Sequence, residues 1–293
     1  MFERKDIKTP RMTEVEIYFK GSCGRKGEEL AKRRKPSKEE MDAANHRHRI
    51  KKIRRKIQAN FRPDDLFLTL KPRKGCGWTL EDLIEARIKF IRALKTLYKK
   101  HGVELKYIYR QEIGERGGLH FHLLVNDAGI SLSEIKALWQ KYGGYTVNAQ
   151  PLRDDGGYED LAEYIVKEPP AKIKGQITMD SYKLDKLSRY GCSRNLIEPE
   201  TETKVYTKKT VEEIIRYGVK ADEGYYLDKD SVYIGVNPYT GYSYIFYRQH
   251  KIRGAEDMKK QKTRVAPVQD DKLRLVDEYK HKNRITSRIN HRG

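Results

Sequence analysis

Two histidines separated by one phenylalanine lie in the apolar run Leu119–Val125. The run has the length and composition of a β-strand. Because side chains alternate between the two faces of a strand, His120 and His122 would point to one side and Phe121 to the other. Two adjacent imidazoles on one sheet face can bind a metal ion, so the sequence predicts part of a metal site here.

A carboxylate on the preceding segment is the candidate for a third ligand. Val103–Ile113 predicts a strand whose alternation puts Arg110 and Glu112 on the face away from its core residues. A turn at Glu115–Gly118 would make the two strands antiparallel neighbours, with Glu112 near both imidazoles, although a shift of one residue would remove it from this face. One carboxylate and two imidazoles suit Mn²⁺ or Mg²⁺ and leave positions for a phosphate oxygen.

A tyrosine on a later helix is the candidate nucleophile. Tyr158–Glu168 predicts a helix that Pro169 and Pro170 end, and Tyr164 and Lys167 would lie one turn apart on it. A phenol with a pKa near ~10 attacks phosphorus poorly unless a cation stabilises the phenolate, which the lysine or the metal could do. Each feature alone is common without any site, so the prediction depends on their joint occurrence.

The elements around these residues alternate between strand and helix. An apolar strand at Leu66–Leu70 is followed by a helix that Thr79 caps and Gly102 ends. The two candidate site strands come next, then a helix opened by the capping box Ser131–Glu134, a strand at Tyr145–Ala149 and the tyrosine helix. This order predicts an α+β protein, a ferredoxin-like or RRM-like sandwich whose central antiparallel sheet has one face free for a site.

Changes in composition along the chain suggest four regions. They are a basic N-terminal helical arm at 1–60, a site-bearing domain at 61–170, a C-terminal extension with a helix and a hairpin at 171–248, and a charged tail at 249–293. In the first region a helix opened by Ser37 carries many cations and few apolar residues. It could be a solvated helix that rests on the next domain or an arm that contacts phosphates, and the sequence favours neither.

The charge balance indicates a polyanionic partner. The 293 residues include 62 lysines and arginines against 42 aspartates and glutamates, a formal net charge of +20. Such a charge favours nucleic acid or an anionic surface and carries no information on fold. No run approaches the roughly 18 consecutive apolar residues of a membrane-spanning helix. Three distant cysteines form neither a zinc motif nor a disulfide framework, so we expect a reducing, cytoplasmic location.

Taken in order, these segments resemble the motifs of the HUH endonucleases, specifically the rolling-circle replication initiator (Rep) proteins of bacterial plasmids and single-stranded DNA phages. Phe67–Leu70 is similar to the first motif of that family. Glu112–Gly114 and His120–His122 are similar to the second, metal-binding motif, and Tyr164–Lys167 to the third, catalytic motif. Ser193–Leu196 more weakly resembles a segment that follows the nuclease domain in phage-type relatives.

The resemblance implies a metal-dependent enzyme that nicks one DNA strand at a replication origin and stays joined to the 5′ phosphate through Tyr164. Glu112, His120 and His122 would bind Mn²⁺ or Mg²⁺, and Lys167 would assist the nucleophile. The substrate would be single-stranded or locally melted DNA in the cytoplasm of a bacterial host. A host polymerase would extend the free 3′ end, and a host helicase would open the duplex because the chain has no phosphate-binding loop of its own.

Further residues are candidates for DNA contacts that position the substrate rather than read its sequence. They are Lys71, Arg73, Lys74, Arg110, Arg189 and Arg194. Tyrosines in the extension could stack on bases, but tyrosine is also a common strand former, and we favour that role. They are Tyr225, Tyr226, Tyr233, Tyr242, Tyr244 and Tyr247.

Two other functions fit parts of the sequence. A single-tyrosine transposase or a relaxase would use the same chemistry, but relaxases usually add a third histidine, and the next one after His122 is His250. A non-catalytic RRM-like protein would display aromatic residues on its open sheet face, whereas this face is expected to carry histidine, glutamate and arginine. The single well-placed tyrosine also argues against a two-tyrosine enzyme.

Overall fold

The computed structural model describes residues 1–21, 37–114, 118–153, 156–167, 190–237 and 241–254. It divides the chain into two compact units, Met1–Ser37 with Pro199–Gly293 and Lys38–Glu198. The predicted α+β class is confirmed. The units differ from the sequence-based boundaries at residues 60 and 170, because the first strands of the chain pair with strands that follow residue 199.

The elements are numbered along the chain. The strands are β1 (Phe2–Lys8), β2 (Met12–Phe19), β3 (Leu66–Pro72), β4 (Tyr107–Ile113), β5 (Leu119–Val125), β6 (Gly144–Pro151), β7 (Tyr190–Cys192), β8 (Glu200–Tyr206), β9 (Tyr225–Val236) and β10 (Ser243–Lys251). The helices are α1 (Lys38–Asn60), α2 (Leu80–Lys100), α3 (Leu132–Gln140), α4 (Glu159–Val166) and α5 (Lys208–Tyr217). None of the helices in the described part of the chain is long and apolar enough to cross a membrane.

The unit formed by the two ends of the chain contains an antiparallel sheet in the order β8-β1-β2-β10-β9. Phe2, Val15 and Ile17 are buried in its core with Val211 of α5. Alternating apolar residues therefore make strands of a segment that we had expected to belong to a basic arm. The predicted helix and hairpin after residue 200 are present, but Thr207 caps α5, so the predicted cap near Thr210 was wrong.

The unit Lys38–Glu198 contains the sheet that was predicted, in the order β6-β3-β5-β4-β7, with all neighbours antiparallel. The first four of these strands, with α2 and α3 as crossovers, have the arrangement of a ferredoxin-like βαββαβ fold. The fifth, β7, adds to the free edge of β4 and was not predicted. It requires a glycine, because a Cβ on Gly191 would lie 2.4 Å from the ring of Tyr109.

Helices cover both faces of this sheet to different extents. Helices α2 and α3 pack on one face, around Phe90, Phe121 and Trp139. Both begin with the predicted capping boxes, Thr79 with Asp82 and Ser131 with Glu134. Helices α1 and α4 pack on the other face, which was expected to be free, and leave uncovered the end of the sheet that carries the histidines.

The helical pattern predicted seven apolar residues of α2 on its buried face, and one of them lies elsewhere. Leu94 is completely buried, whereas Ile88 is 39% exposed and Phe90 takes a place in the core. We expect Leu94→Ala to lower the free energy of unfolding of this unit by about 2–5 kcal/mol. The matched substitution Ile88→Ala should change it by no more than about 0.5 kcal/mol.

The measurement is denaturant unfolding followed by tryptophan fluorescence. This signal reports on the unit because the chain has two tryptophans, Trp139 in the core and Trp78 packed against it. Equal effects of the two substitutions would contradict the described packing of α2 on the sheet.

Candidate active site

The pairing of β4 with β5 brings the candidate metal ligands together. In the observed register Glu112 lies directly opposite His120, and Arg110 lies opposite His122. Phe121, between the two histidines, points to the other face and is completely buried against α2 and α3. Alternation along both strands therefore places one carboxylate and two imidazoles on the same sheet face, as the sequence predicted.

The three side chains are close enough to share one cation. Their candidate ligand atoms all lie within 4.8 Å of one another. The carboxylate oxygen Oε2 of Glu112 is 3.3 Å from Nε2 of His122 and 3.8 Å from Nε2 of His120. A carboxylate with two imidazole nitrogens is a donor set that divalent metal ions accept, so this group could bind a metal ion.

Both histidine rings are held by a second group through Nδ1. His120 Nδ1 is 3.1 Å from the carbonyl oxygen of Gly118. Because a carbonyl only accepts hydrogen bonds, Nδ1 must carry the proton, which leaves the lone pair of Nε2 free for a ligand role. His122 Nδ1 is 3.1 Å from the hydroxyl of Thr69. The ring of Phe67 stacks on that of His122, with centroids 5.3 Å apart and planes 8° from parallel.

Thr69 and Phe67 are site residues that the sequence analysis did not single out. Strand β3 pairs with β5 so that Thr69 lies opposite His122, and the leucines of β3 turn towards the core. The alternation of β3 was visible in the sequence and could have placed Phe67 and Thr69 on the histidine face. What the sequence could not give was the neighbour of β3, since that follows from the strand order.

The hydroxyl of Tyr164 lies among the candidate ligands. It donates to Glu112 Oε2 at 2.5 Å or shares its proton with His122 Nε2 at 2.6 Å. Its ring stands nearly perpendicular to that of His122, at 84°, and also contacts Phe67 edge-on. Helix α4 thus brings a phenol oxygen to the same point at which the carboxylate and an imidazole nitrogen meet.

The protonation equilibria of the group depend on these contacts. The hydrogen bond with His122 lowers the pKa of Glu112 to about 2, against the opposing effect of burial and with the help of Tyr164. Burial lowers the pKa of His120. Burial and the hydrogen bond to Glu112 raise the pKa of Tyr164. Near neutral pH the site therefore contains an ionised carboxylate, a neutral His120 and a phenol that retains its proton.

The structure corrects one expected DNA contact. Arg110 is only 3% exposed, and its guanidinium donates to the main-chain carbonyl of Ile165 at 2.7 Å. It also lies 5.7 Å from the centre of the Tyr164 ring. Because the guanidinium is enclosed between the sheet and α4, it holds the tyrosine helix in place and cannot extend to a phosphate in solution.

The other predicted residues lie around the site or outside the described part of the chain. Lys167 is exposed directly after α4, where φ and ψ of −50° and 134° have left the helix, so helical spacing does not set its direction. Lys71 is exposed on the histidine face, and its charge contributes to lowering the pKa of His120, after the larger effect of burial. Arg189 lies outside the described residues.

Three predicted basic residues are exposed away from the histidines. Arg73 and Lys74 follow β3, and the Arg73 guanidinium lies 6.0 Å from the ring of the exposed Tyr145. Arg194 follows β7, within the segment that weakly resembled phage-type relatives. That segment is anchored to the start of β4, since the Ser193 hydroxyl accepts from the amide of Tyr107 at 3.0 Å.

Comparison with known proteins gives one match. Residues 65–169 match the family model of the replication-associated protein ORF2. No curated protein and no solved structure matches the chain. The matched segment runs from the start of β3 to just beyond α4 and so contains every residue of the site described above. The match confirms, for this segment, the resemblance to Rep-type rolling-circle replication initiators, and membership of the HUH superfamily is consistent with it.

Proposed function

We propose that the protein initiates rolling-circle replication by nicking single-stranded DNA at an origin and transferring the strand through a 5′-phosphotyrosine. The observation that carries this proposal is the position of the Tyr164 hydroxyl, within hydrogen-bonding distance of both Glu112 and His122. A phenol is rarely directed at a carboxylate and two imidazoles by chance. The replication-associated family match supports the same role.

Glu112, His120 and His122 would hold the divalent cation, with Mn²⁺ or Mg²⁺ as the candidates, because one ligand is a carboxylate and two are imidazoles. When bound, the cation would supply Lewis acidity towards a phosphate oxygen. Thr69 and Gly118 fix the two rings through Nδ1, so that each Nε2 is presented to the same point. Such supporting contacts set ring orientation and tautomer in metal sites.

The proposed reaction exchanges one phosphodiester for another. The Tyr164 oxygen forms a bond to phosphorus while the bond from phosphorus to the 3′ oxygen breaks. The phenol proton leaves towards its hydrogen-bond partners, Glu112 and His122, and the departing 3′ oxygen gains a proton to become a hydroxyl. No water is consumed, so a later 3′ hydroxyl can attack the phosphotyrosine, restore a DNA linkage and release the tyrosine.

Basic residues near the site would hold the DNA strand. Lys71 lies on the histidine face, and Lys167 follows the tyrosine helix, so both could contact phosphates next to the scissile one. Arg73, Lys74, Arg189 and Arg194 are the remaining candidates for DNA contacts. A host helicase and a host polymerase remain part of the proposal because the chain carries no phosphate-binding loop.

Replacing Tyr164 with phenylalanine should abolish the covalent adduct with an origin oligonucleotide while DNA binding persists, since only the nucleophilic oxygen is removed. The matched control is Tyr158→Phe, which removes a buried phenol hydroxyl at the start of the same helix. We expect the control to form the adduct. Both proteins are mixed with single-stranded DNA and Mn²⁺ and compared by denaturing electrophoresis.

An adduct that survives in the Tyr164→Phe protein would show that another residue is the nucleophile. Mass spectrometry of the adduct from the unmodified protein should identify Tyr164 as the modified residue.

Removing a candidate ligand should abolish Mn²⁺ binding by isothermal titration calorimetry. We expect this for His120→Ala, His122→Ala and Glu112→Gln, because each removes one of the three proposed protein ligands. His101→Ala, at the end of α2 and away from the group, should bind Mn²⁺ as the unmodified protein does. Unchanged affinity in any of the three ligand variants would remove that residue from the proposed set.

Thr69→Val should weaken Mn²⁺ binding by about 10- to 100-fold without abolishing it, as is usual when a residue that orients a ligand is lost. Valine keeps the shape and strand propensity of threonine but cannot hydrogen-bond His122 Nδ1. The same titration measures the effect. Affinity equal to that of the unmodified protein would show that Phe67 stacking alone is enough to orient the ring.

A further inference from the structure

Helix α1 has an unusual distribution of charge. Its first five residues include Glu39 and Glu40, but the stretch 43–60 contains seven lysines and arginines and no acidic residue. The same stretch contains no phenylalanine, tyrosine or tryptophan. A helix surface of this composition attracts phosphates and offers no ring on which a base could stack.

The inner side of α1 is fixed to the site-bearing unit. Ile53 and Ile57 are buried in the same cluster as Ile165 of α4. The buried Arg54 forms an ion pair with Glu159, at the first turn of α4, at 3.1 Å. The expectation of a helix that rests on the next domain is therefore met along its C-terminal half, which leaves the opposite, basic side facing solvent.

The helix runs antiparallel to β4. At its C-terminal end Asn60 accepts a hydrogen bond from Lys106, just before β4, at 3.3 Å. Further back, Lys56 pairs with Glu198 at 2.7 Å. Burial raises the pKa of the Cys192 thiol, and the charges of Lys56 and Lys52 oppose the rise. Cys192 is paired with Ile108 of β4.

The same relation continues one turn earlier. Burial raises the pKa of the Tyr190 phenol, and the charge of Arg49 opposes it. Tyr190 is paired with Arg110 of β4, which is two residues closer to Glu112 than Ile108 is. The preceding turn of α1, which contains Arg47, therefore extends towards the end of β4 that carries Glu112. The exposed basic side of α1 thus flanks the candidate metal ligands.

We propose that the solvent-facing side of α1, represented by the exposed residues Arg47 and Lys52, binds the phosphate backbone of duplex DNA next to the strand that reaches Tyr164. The inference rests on the proposed function, because it assumes that DNA is the substrate. Duplex DNA is the partner that fits, since its bases are stacked inside and its surface is a line of phosphates. A single strand would call for aromatic side chains.

The test compares two pairs of substitutions in the full-length Tyr164→Phe protein, so that no cleavage occurs. Arg47→Gln with Lys52→Gln removes two charges from α1. Arg92→Gln with Lys95→Gln removes the same two residue types from exposed positions of α2, which packs on the opposite face of the sheet. Binding of a fluorescent duplex of about two helical turns and of a single strand of equal length is measured by anisotropy at several salt concentrations.

We expect the α1 pair to lower the slope of log K against log salt on the duplex by about 2, because each lost phosphate contact removes about one released counterion. The Kd near physiological salt should rise on the order of tenfold. The α2 pair should leave both quantities unchanged, and the α1 pair should affect the single strand less than the duplex.

Equal losses from the α1 and α2 pairs would overturn the proposal, since binding would then depend on the overall charge of the protein. A larger loss on the single strand would overturn it as well, because the surface would then serve the cut strand. Neither result depends on covalent chemistry, so failure of the Tyr164 adduct and failure of this proposal are distinguishable.

Discussion

The register between β4 and β5 is the constraint on which the site depends. Glu112 reaches the histidines only because it lies directly opposite His120. A slip of one residue would turn the carboxylate towards the core that surrounds Phe121. That slip is opposed by the packing on the other face, where Phe121 and Leu123 are completely buried. The hydrophobic core under α2 and α3 thus fixes the geometry of a polar group on the far side of the same two strands.

The second requirement is that α4 should lie at one height above the sheet. Ala162, Ile165 and Val166 bury one side of this short helix against the sheet and α1. The guanidinium of Arg110 fixes its last turn through the carbonyl of Ile165. Tyr164, on the adjoining side, is left with its hydroxyl between Glu112 and His122. A buried arginine is expensive to desolvate, and its presence here is explained by its hold on the nucleophile helix.

The sequence was most informative where one periodic pattern decided the outcome. Alternation in β4 and β5 predicted the face shared by Glu112, His120 and His122, and the capping boxes at Thr79 and Ser131 gave the starts of α2 and α3. The family resemblance was likewise confirmed over residues 65–169. These features depend on neighbours in the chain or on a single tight turn.

The sequence was least informative where distant segments meet. Strands β1 and β2 carried alternating apolar residues, but their partners follow residue 199, so nothing nearby indicated a sheet. Arg110 was expected at DNA because its strand position is polar, and only the docking of α4 shows that it is buried. Ile88 fitted the helical stripe, yet the rotation of α2 on the sheet selected Phe90 instead.

The most direct test of the account is a crystal structure of the protein with Mn²⁺, in which anomalous scattering locates the ion. We predict one strong anomalous peak bound by Glu112, His120 and His122, with the Tyr164 hydroxyl beside it. A peak at other residues, or a Tyr164 side chain turned away from the three ligands, would contradict the account.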